Sequence, residues 1–226
     1  MGFLRQVMVV AAKDLRAEFR TKEAINASLA FALVILVLFS FAFDPLEETT
    51  RAISGGLLWI VFAFAGALLL NRSFTRELAN DCLDALVAAP VSAAGLFLGK
   101  AIANYVLISG VELVALPVFG VFYNVHWTQF FWQLMLVLLL GNWGVTIIGT
   151  VFSALTVNLR LREVMLPMLI YPMLLPALAA AMQLTGYLVT GTPITKDNIS
   201  WLQMLAGFDV MFTAVSLVLI EHVLVG

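Results

Sequence analysis

The sequence has 226 residues, of which 62% are hydrophobic and only 12% charged, and its mean hydropathy is +1.03. Soluble domains are about half apolar and about one quarter charged, so this composition excludes a soluble protein and predicts an integral membrane protein. The formal net charge of −2 gives no sign of nucleic acid as a partner, and the single cysteine excludes an internal disulfide.

Residues 1–24 form the first predicted element, an amphipathic helix at the membrane interface. Apolar side chains recur at helical spacing, and basic side chains occupy the other face. Such a helix lies along the membrane surface with its cations near anionic headgroups. Two roles remain open: a simple topology anchor, or an elbow that moves with the membrane-spanning bundle. The apolar positions are Leu4, Met8, Ala11, Leu15 and Phe19.

Six apolar blocks follow, each near or above the length of about 20 residues that spans a bilayer. A single segment in lipid can satisfy its backbone only through its own hydrogen bonds, so each block is predicted to be a helix. The fold class is therefore all-α, a polytopic membrane protein with six transmembrane helices in a single domain, 1–226. The predicted spans are about 25–43, 53–70, 102–123, 130–157, 164–186 and 201–225.

The distribution of basic residues predicts the orientation. Apart from Arg51 and Lys196, all Lys and Arg residues lie before the first block or in the loops after the second and fourth blocks. The positive-inside rule then places both termini in the cytoplasm.

The loop between the second and third blocks contains a predicted amphipathic helix, residues 72–90. A simple turn needs only a few residues, whereas this loop has about thirty. More acid than base lies on its polar face from Glu77 to Asp84, which anionic headgroups would repel. We therefore favour a cytoplasmic protein partner over the bilayer surface. Pro90 disfavours helix at the residue before it.

The segment GLFLGK, Gly95 to Lys100, looks at first like a phosphate-binding loop. That motif needs four residues between the glycines and a Ser or Thr after the lysine. Here three residues separate the glycines and Ala101 follows the lysine. Energy from ATP would therefore have to come from another subunit.

The second span and the loop after it resemble the haem exporter protein B (CcmB) family, the permease subunit of the cytochrome c maturation system. The matching positions are Gly56, Trp59, Arg72, Phe74, Glu77, Leu83, Asp84, Leu86, Pro90 and Lys100. The fifth block, with Pro172 and Pro176, is similar to the Pro-x-x-x-Pro span of the family. Asn80-Asp81 stands where the family usually has Asp-Gly, so the chain departs from the family pattern at this local turn.

The resemblance implies an ABC-2-like exporter permease in the bacterial inner membrane. Its partners would be a cytoplasmic ABC ATPase in two copies, a second copy of this chain, haem-handling membrane subunits, a haem chaperone and membrane lipids. ATP would bind the partner subunit, and haem would be the substrate. The 72–90 helix would be the coupling helix, with Arg72, Phe74, Arg76, Glu77, Asp81, Leu83, Asp84 and Leu86 as the residues that couple it to the ATPase.

Polar residues inside the predicted spans are the other candidates. Glu112 and Asp209 are acids in apolar surroundings, where an ionised carboxylate costs roughly 2.5–3.5 kcal/mol. They are either functional or neutral acids hydrogen-bonded to a neighbour such as Asn142. Interruptions in the fourth and fifth blocks could form a gate or kink, although close packing is the commoner reason. These gate candidates are Gly141, Gly144, Pro172 and Pro176.

The sequence predicts neither catalytic residues nor a metal site. His126 and His222 are isolated histidines, which are more often solvated than bound to a metal. Three functions remain: a permease for haem export or for release of the loaded haem chaperone, a related permease for a lipid or drug, and a proton-coupled carrier using the two intramembrane acids. The carrier makes no use of the cytoplasmic helix.

Overall fold

The computed structural model describes residues 2–44, 47–73, 92–125, 128–156 and 162–225, with side chains for all of these except 162–163 and 221–225. Within these ranges the chain forms seven α-helices and no strand. They are α1 (Phe3–Thr21), α2 (Glu23–Ala42), α3 (Glu48–Asn71), α4 (Ala93–Phe122), α5 (Phe131–Thr156), α6 (Arg162–Val189) and α7 (Ile199–Val225).

Helices α2 to α7 are each long and apolar enough to cross a membrane. They correspond in order to the six predicted blocks, which confirms the all-α polytopic fold. Helix α1 precedes them, as the amphipathic pattern predicted.

Helix α4 begins at Ala93, well before the predicted start near residue 102. Ser92 caps it, because the Ser92 side chain accepts a hydrogen bond from the Gly95 backbone N–H at 3.1 Å. With 30 residues, α4 is about 45 Å long, whereas the hydrocarbon core of a bilayer is about 30 Å thick. One end of α4 therefore extends beyond the hydrocarbon core, and α3 likewise begins at Glu48 rather than near residue 53.

Helices α3 and α5 are the most buried spans, whereas α2 and α7 are the least buried. Helix α3 packs against α2, α5 and α6, and α5 packs against α4, α6 and α7. The main apolar core lies between these helices and contains Trp59, Phe62 and Leu138.

A single residue joins α1 to α2. Lys22 adopts a left-handed conformation with φ 56°, which turns the chain between the two helices. The buried Glu18 carboxylate accepts hydrogen bonds from the backbone N–H groups of Ala24 at 2.9 Å and Ile25 at 3.1 Å. These donors belong to the first turn of α2, where a carboxylate is electrostatically favourable. The last turn of α1 therefore fixes the first turn of α2.

Candidate functional site

The predicted coupling residues are only partly described. Arg72 follows α3 directly, and its guanidinium forms an ion pair with Glu23 at 2.6 Å. Both side chains of this pair are largely exposed, at 45% and 69%, so the pair contributes little stability. The remaining predicted coupling residues, which are Phe74, Arg76, Glu77, Asp81, Leu83, Asp84 and Leu86, lie outside the described residues.

Ser73 and Ser92 are the described residues on either side of this segment, and each takes part in polar contacts where α1 meets α4. We call these two sets of contacts the α1–α4 junction and define it by Gln6, Asp14, Ser73, Ser92 and Lys100. Its members come from α1, from the end of α3 and from the start of α4.

Lys100 is the centre of the junction. Its side chain is only 1% exposed, although lysine is almost never buried without a partner. The Lys100 ammonium donates to the Asp14 carboxylate at 3.0 Å and to the Ser73 carbonyl at 2.9 Å. One buried cation therefore connects α4, α1 and the chain that leaves α3.

The start of α4 is bound to α1 by a second contact. The Gln6 side-chain oxygen accepts hydrogen bonds from the Ser92 backbone N–H at 3.3 Å and from the Ser92 hydroxyl at 3.2 Å. Ser73 is therefore held to α4 through Lys100, and Ser92 is held to α1 through Gln6.

Close packing of α1 against α4 makes these bonds geometrically possible. A Cβ atom placed on Gly99 would lie 2.6 Å from the Val10 Cβ atom and 2.9 Å from the Val7 carbonyl oxygen. A Cβ atom on Gly95, one turn earlier, would lie 3.1 Å from the Gln6 side-chain oxygen. The glycines and lysine of GLFLGK thus form a helix-packing face, in agreement with the rejection of this segment as a phosphate-binding loop.

Within the bundle, the predicted residue Asn142 is fully buried and hydrogen-bonded. Its amide donates to the Ser109 hydroxyl and to the Tyr105 carbonyl, which joins α5 to α4. Its oxygen accepts from the Thr146 hydroxyl of α5 at 3.2 Å. Glu112 lies on α4, one turn beyond Ser109, and is 5% exposed.

Asp209 on α7 is also 5% exposed, but both of its carboxylate oxygens lack a hydrogen-bond partner. One of these oxygens lies against Gly144 of α5, where an added Cβ atom would come within 2.8 Å of it. One turn away, the Trp143 indole N–H donates to the Thr213 hydroxyl at 3.0 Å. Two predicted residues, Asp209 and Gly144, therefore meet at the α5–α7 contact.

The other gate candidates occupy two different places. Gly141 lies against the Trp59 ring, with no room for a Cβ atom, and the Trp59 indole N–H donates to the Thr185 hydroxyl at 2.9 Å. Pro172 and Pro176 lie in α6 and line an apolar groove of about 440 Å³ between α6 and α7. Gly141 and Gly144 are therefore in close contact with side chains of neighbouring helices, and both prolines border a cleft.

The described part of the chain contains no cluster of three or more His, Cys, Asp or Glu residues that could hold a metal ion. His126 and the His222 side chain lie outside it.

Sequence reasoning missed the junction. The sequence predicts Lys100 to lie in a loop, whereas it lies inside α4, and its partner Asp14 is distant in the chain. Two local signals were present: a Ser-x-x-Gly cap at Ser92, and the spacing of Gly95 and Gly99 on one helix face.

Comparison with known proteins agrees with this architecture. The family profile described as "CcmB protein" matches residues 5–224. "Heme exporter protein B" of Rhodobacter capsulatus is 32% identical over 196 residues, which is 86% of this chain and 87% of the relative. The protein of that name from Paracoccus denitrificans is 32% identical over 74% of this chain and 76% of its own length. The one from Pseudomonas aeruginosa is 28% identical over 91% of both chains. Because the match extends over nearly the whole sequence and the six spans, the chain belongs to the CcmB protein family.

Proposed function

We propose that this chain is the membrane permease subunit of an ABC-type complex that exports haem, or releases a loaded haem chaperone, during maturation of c-type cytochromes. The observation that carries the proposal is the family match over residues 5–224, together with relatives named "Heme exporter protein B" over most of their length. The six spans and the additional helix α1 are consistent with a permease subunit.

ATP hydrolysis belongs to a separate subunit in this proposal. The segment of this chain that most resembles a nucleotide-binding loop is part of helix α4 and packs against α1. A chain of this kind needs a partner that binds ATP and moves.

Through the junction, movement of that partner would be transmitted to the membrane-spanning helices. An ATPase bound to the segment 74–91 would pull on Ser73 and Ser92, which are bonded to Lys100 and Gln6 respectively. Because Lys100 also holds Asp14, the pull would act on α1, α3 and α4 together. Such rigid-body transfer needs short, satisfied contacts at the point of entry.

The rest of the assembly follows from the same proposal. Two copies of this chain and two ATPases would form the complex, with haem-handling membrane subunits and a haem chaperone beside it. The complex would lie in the bacterial inner membrane with both termini of this chain in the cytoplasm. Haem is the substrate. Glu112, Asn142 and Asp209 stay intramembrane polar candidates, and the two acids would not attract the propionates of haem.

The alternative substrate is a lipid or a drug. A haem-specific assay distinguishes haem from this alternative. A strain lacking this chain should lose covalent haem from its c-type cytochromes and regain it with the wild-type chain. Normal haem attachment in the deletion strain would contradict the haem proposal, and would favour an export permease for another substrate.

A pull-down tests the ATPase. The double charge reversal Asp81→Lys/Asp84→Lys should abolish ATPase co-purification and leave membrane insertion normal. The introduced lysines would repel the basic groups of the partner that the acidic side chains are proposed to attract. The matched control is Glu47→Lys/Glu48→Lys, on the opposite predicted side of the membrane. Equal ATPase recovery in both variants would contradict the proposed docking site.

A further inference from the structure

The acidic and basic side chains of helix α1 lie on different sides of the helix. Both acids of α1 are turned inward: Asp14 bonds to Lys100, and Glu18 binds the first turn of α2. The arginines Arg5, Arg16 and Arg20 are all exposed. The outward surface of α1 is therefore strongly positive, although the whole chain carries a formal net charge of −2.

An apolar stripe runs beside these arginines. Leu4, Met8 and Phe19 are 77%, 64% and 56% exposed, and their spacing places them on one side of the helix. The packing face of α1, with Val7 and Val10, points elsewhere, into α4. Helix α1 thus has an apolar stripe that the described bundle does not cover.

The position of α1 places this stripe at a membrane surface. Phe19 is separated by only three residues from Glu23, where the first span begins. Gln6, Val10 and Asp14 lie beside Ser92, Gly99 and Lys100 respectively, so α1 runs along the first turns of α4. That end of α4 is part of a helix about 45 Å long, which exceeds the hydrocarbon core by about 15 Å.

We propose that the outward surface of α1 binds anionic phospholipid, with Arg5, Arg16 and Arg20 on the headgroups and the stripe of Leu4, Met8 and Phe19 among the upper acyl chains. A basic arc beside an apolar stripe is the pattern that selects an anionic membrane interface. An acidic protein surface would match the charges but would leave the stripe without an apolar contact. The proposal goes beyond the proposed function, since it requires neither haem nor an ATPase.

Fluorescence quenching tests the proposal on the full-length chain in vesicles. Met8→Cys in a Cys82→Ser background leaves one thiol for a fluorescent label, because Cys82 is the single cysteine. The vesicles contain phosphatidylcholine and phosphatidylglycerol, and one of the two lipids carries a nitroxide quencher near its headgroup. We expect labelled phosphatidylglycerol to quench more strongly than labelled phosphatidylcholine, and added salt to reduce the difference.

Matched variants show whether the lipid preference depends on the positive charge of the three arginines. Replacing the three arginines by Gln should lower the preference for phosphatidylglycerol by about fivefold for each charge removed. Replacing them by Lys should retain it. Lys196→Gln, at an exposed position on the predicted opposite side, should have no effect.

Three results would overturn the proposal. Equal quenching by the two lipids in the wild-type background would show lipid contact without charge recognition. A preference that survives the triple Gln variant would assign the selectivity to other residues. Absence of quenching by either lipid would show that protein covers the stripe. None of these results depends on ATPase co-purification or haem attachment. Failure of the lipid proposal would therefore not contradict the proposed function.

Discussion

Replacing Lys100 by Met tests the α1–α4 junction most directly. Methionine has nearly the same length as lysine and is apolar, so the variant removes the charge and the donors while largely filling the same space. The Asp14 carboxylate and the Ser73 carbonyl each lose the partner that lies within 3.0 Å in the structure.

The size of the effect follows from the burial of the two partners. Breaking a buried ion pair costs about 3–5 kcal/mol, because the remaining charge stays buried without its partner. Asp14 is 19% exposed and also pairs with Lys13 at 3.1 Å, so we expect a smaller loss of about 2–3 kcal/mol. The exposed pair of Arg72 and Glu23 is the internal control, and Arg72→Gln should cost about 0–1 kcal/mol.

A double-mutant cycle measures the pair itself. The free energy of unfolding is determined in mixed micelles for Lys100→Met, Asp14→Ala and the double variant. Residues in direct contact should show a coupling of about 1–3 kcal/mol. In the complex, Lys100→Met should also reduce the ATPase stimulation given by this subunit.

Additivity would refute this reasoning. If the two single effects sum to the effect of the double variant within about 0.5 kcal/mol, Lys100 and Asp14 do not interact. If stability falls and ATPase stimulation is unchanged, the junction is a structural contact with no part in coupling.

Three further predictions concern close contacts between helices. Gly99→Ala should lower the unfolding free energy by about 1–3 kcal/mol, because its methyl group would lie 2.6 Å from the Val10 Cβ atom. The control is Gly110→Ala in the same helix, where the methyl group meets nothing within 4 Å. This variant should be neutral or stabilising in the same unfolding assay. Gly144→Ala should destabilise the bundle through its 2.8 Å contact with the Asp209 carboxylate, and a second substitution, Asp209→Ala, should restore the lost stability; failure of this rescue would contradict the contact. Asp209→Leu should raise the thermal unfolding midpoint, since it removes a buried carboxylate without a partner; a lower midpoint would show that the carboxylate is bonded.

The six spans could be predicted from sequence because hydropathy is a local property. A segment of about 20 apolar residues must be helical in lipid whatever its neighbours are. The same locality explains why the predicted start of α4 is wrong. Lys100 and the small residues before it lower the average hydropathy, which is typical of a loop. The helix begins at Ala93 because Ser92 caps it and because Asp14, 86 residues away, neutralises Lys100.

For the intramembrane candidates too, the sequence predicts which residues are unusual but not which contacts they make. Composition alone identified Asp209, Glu112 and Asn142 as unusual in their spans. It could not show that Asn142 would be satisfied by Ser109 and Tyr105 while Asp209 would have no partner. That distinction depends on which helices meet, and a single sequence does not contain this information.

The two groups of polar contacts differ in a way that bears on movement. At the junction, the buried charge of Lys100 is satisfied by two partners, and the helices touch closely at Gly99. At the α5–α7 contact, a buried carboxylate is left without a partner on a helix that is among the least buried spans. Separating the first contact would expose a charge, whereas shifting the second could give Asp209 a partner that it lacks. We therefore expect α1, α4 and the end of α3 to move as one body, and α7 to change its contacts when they do.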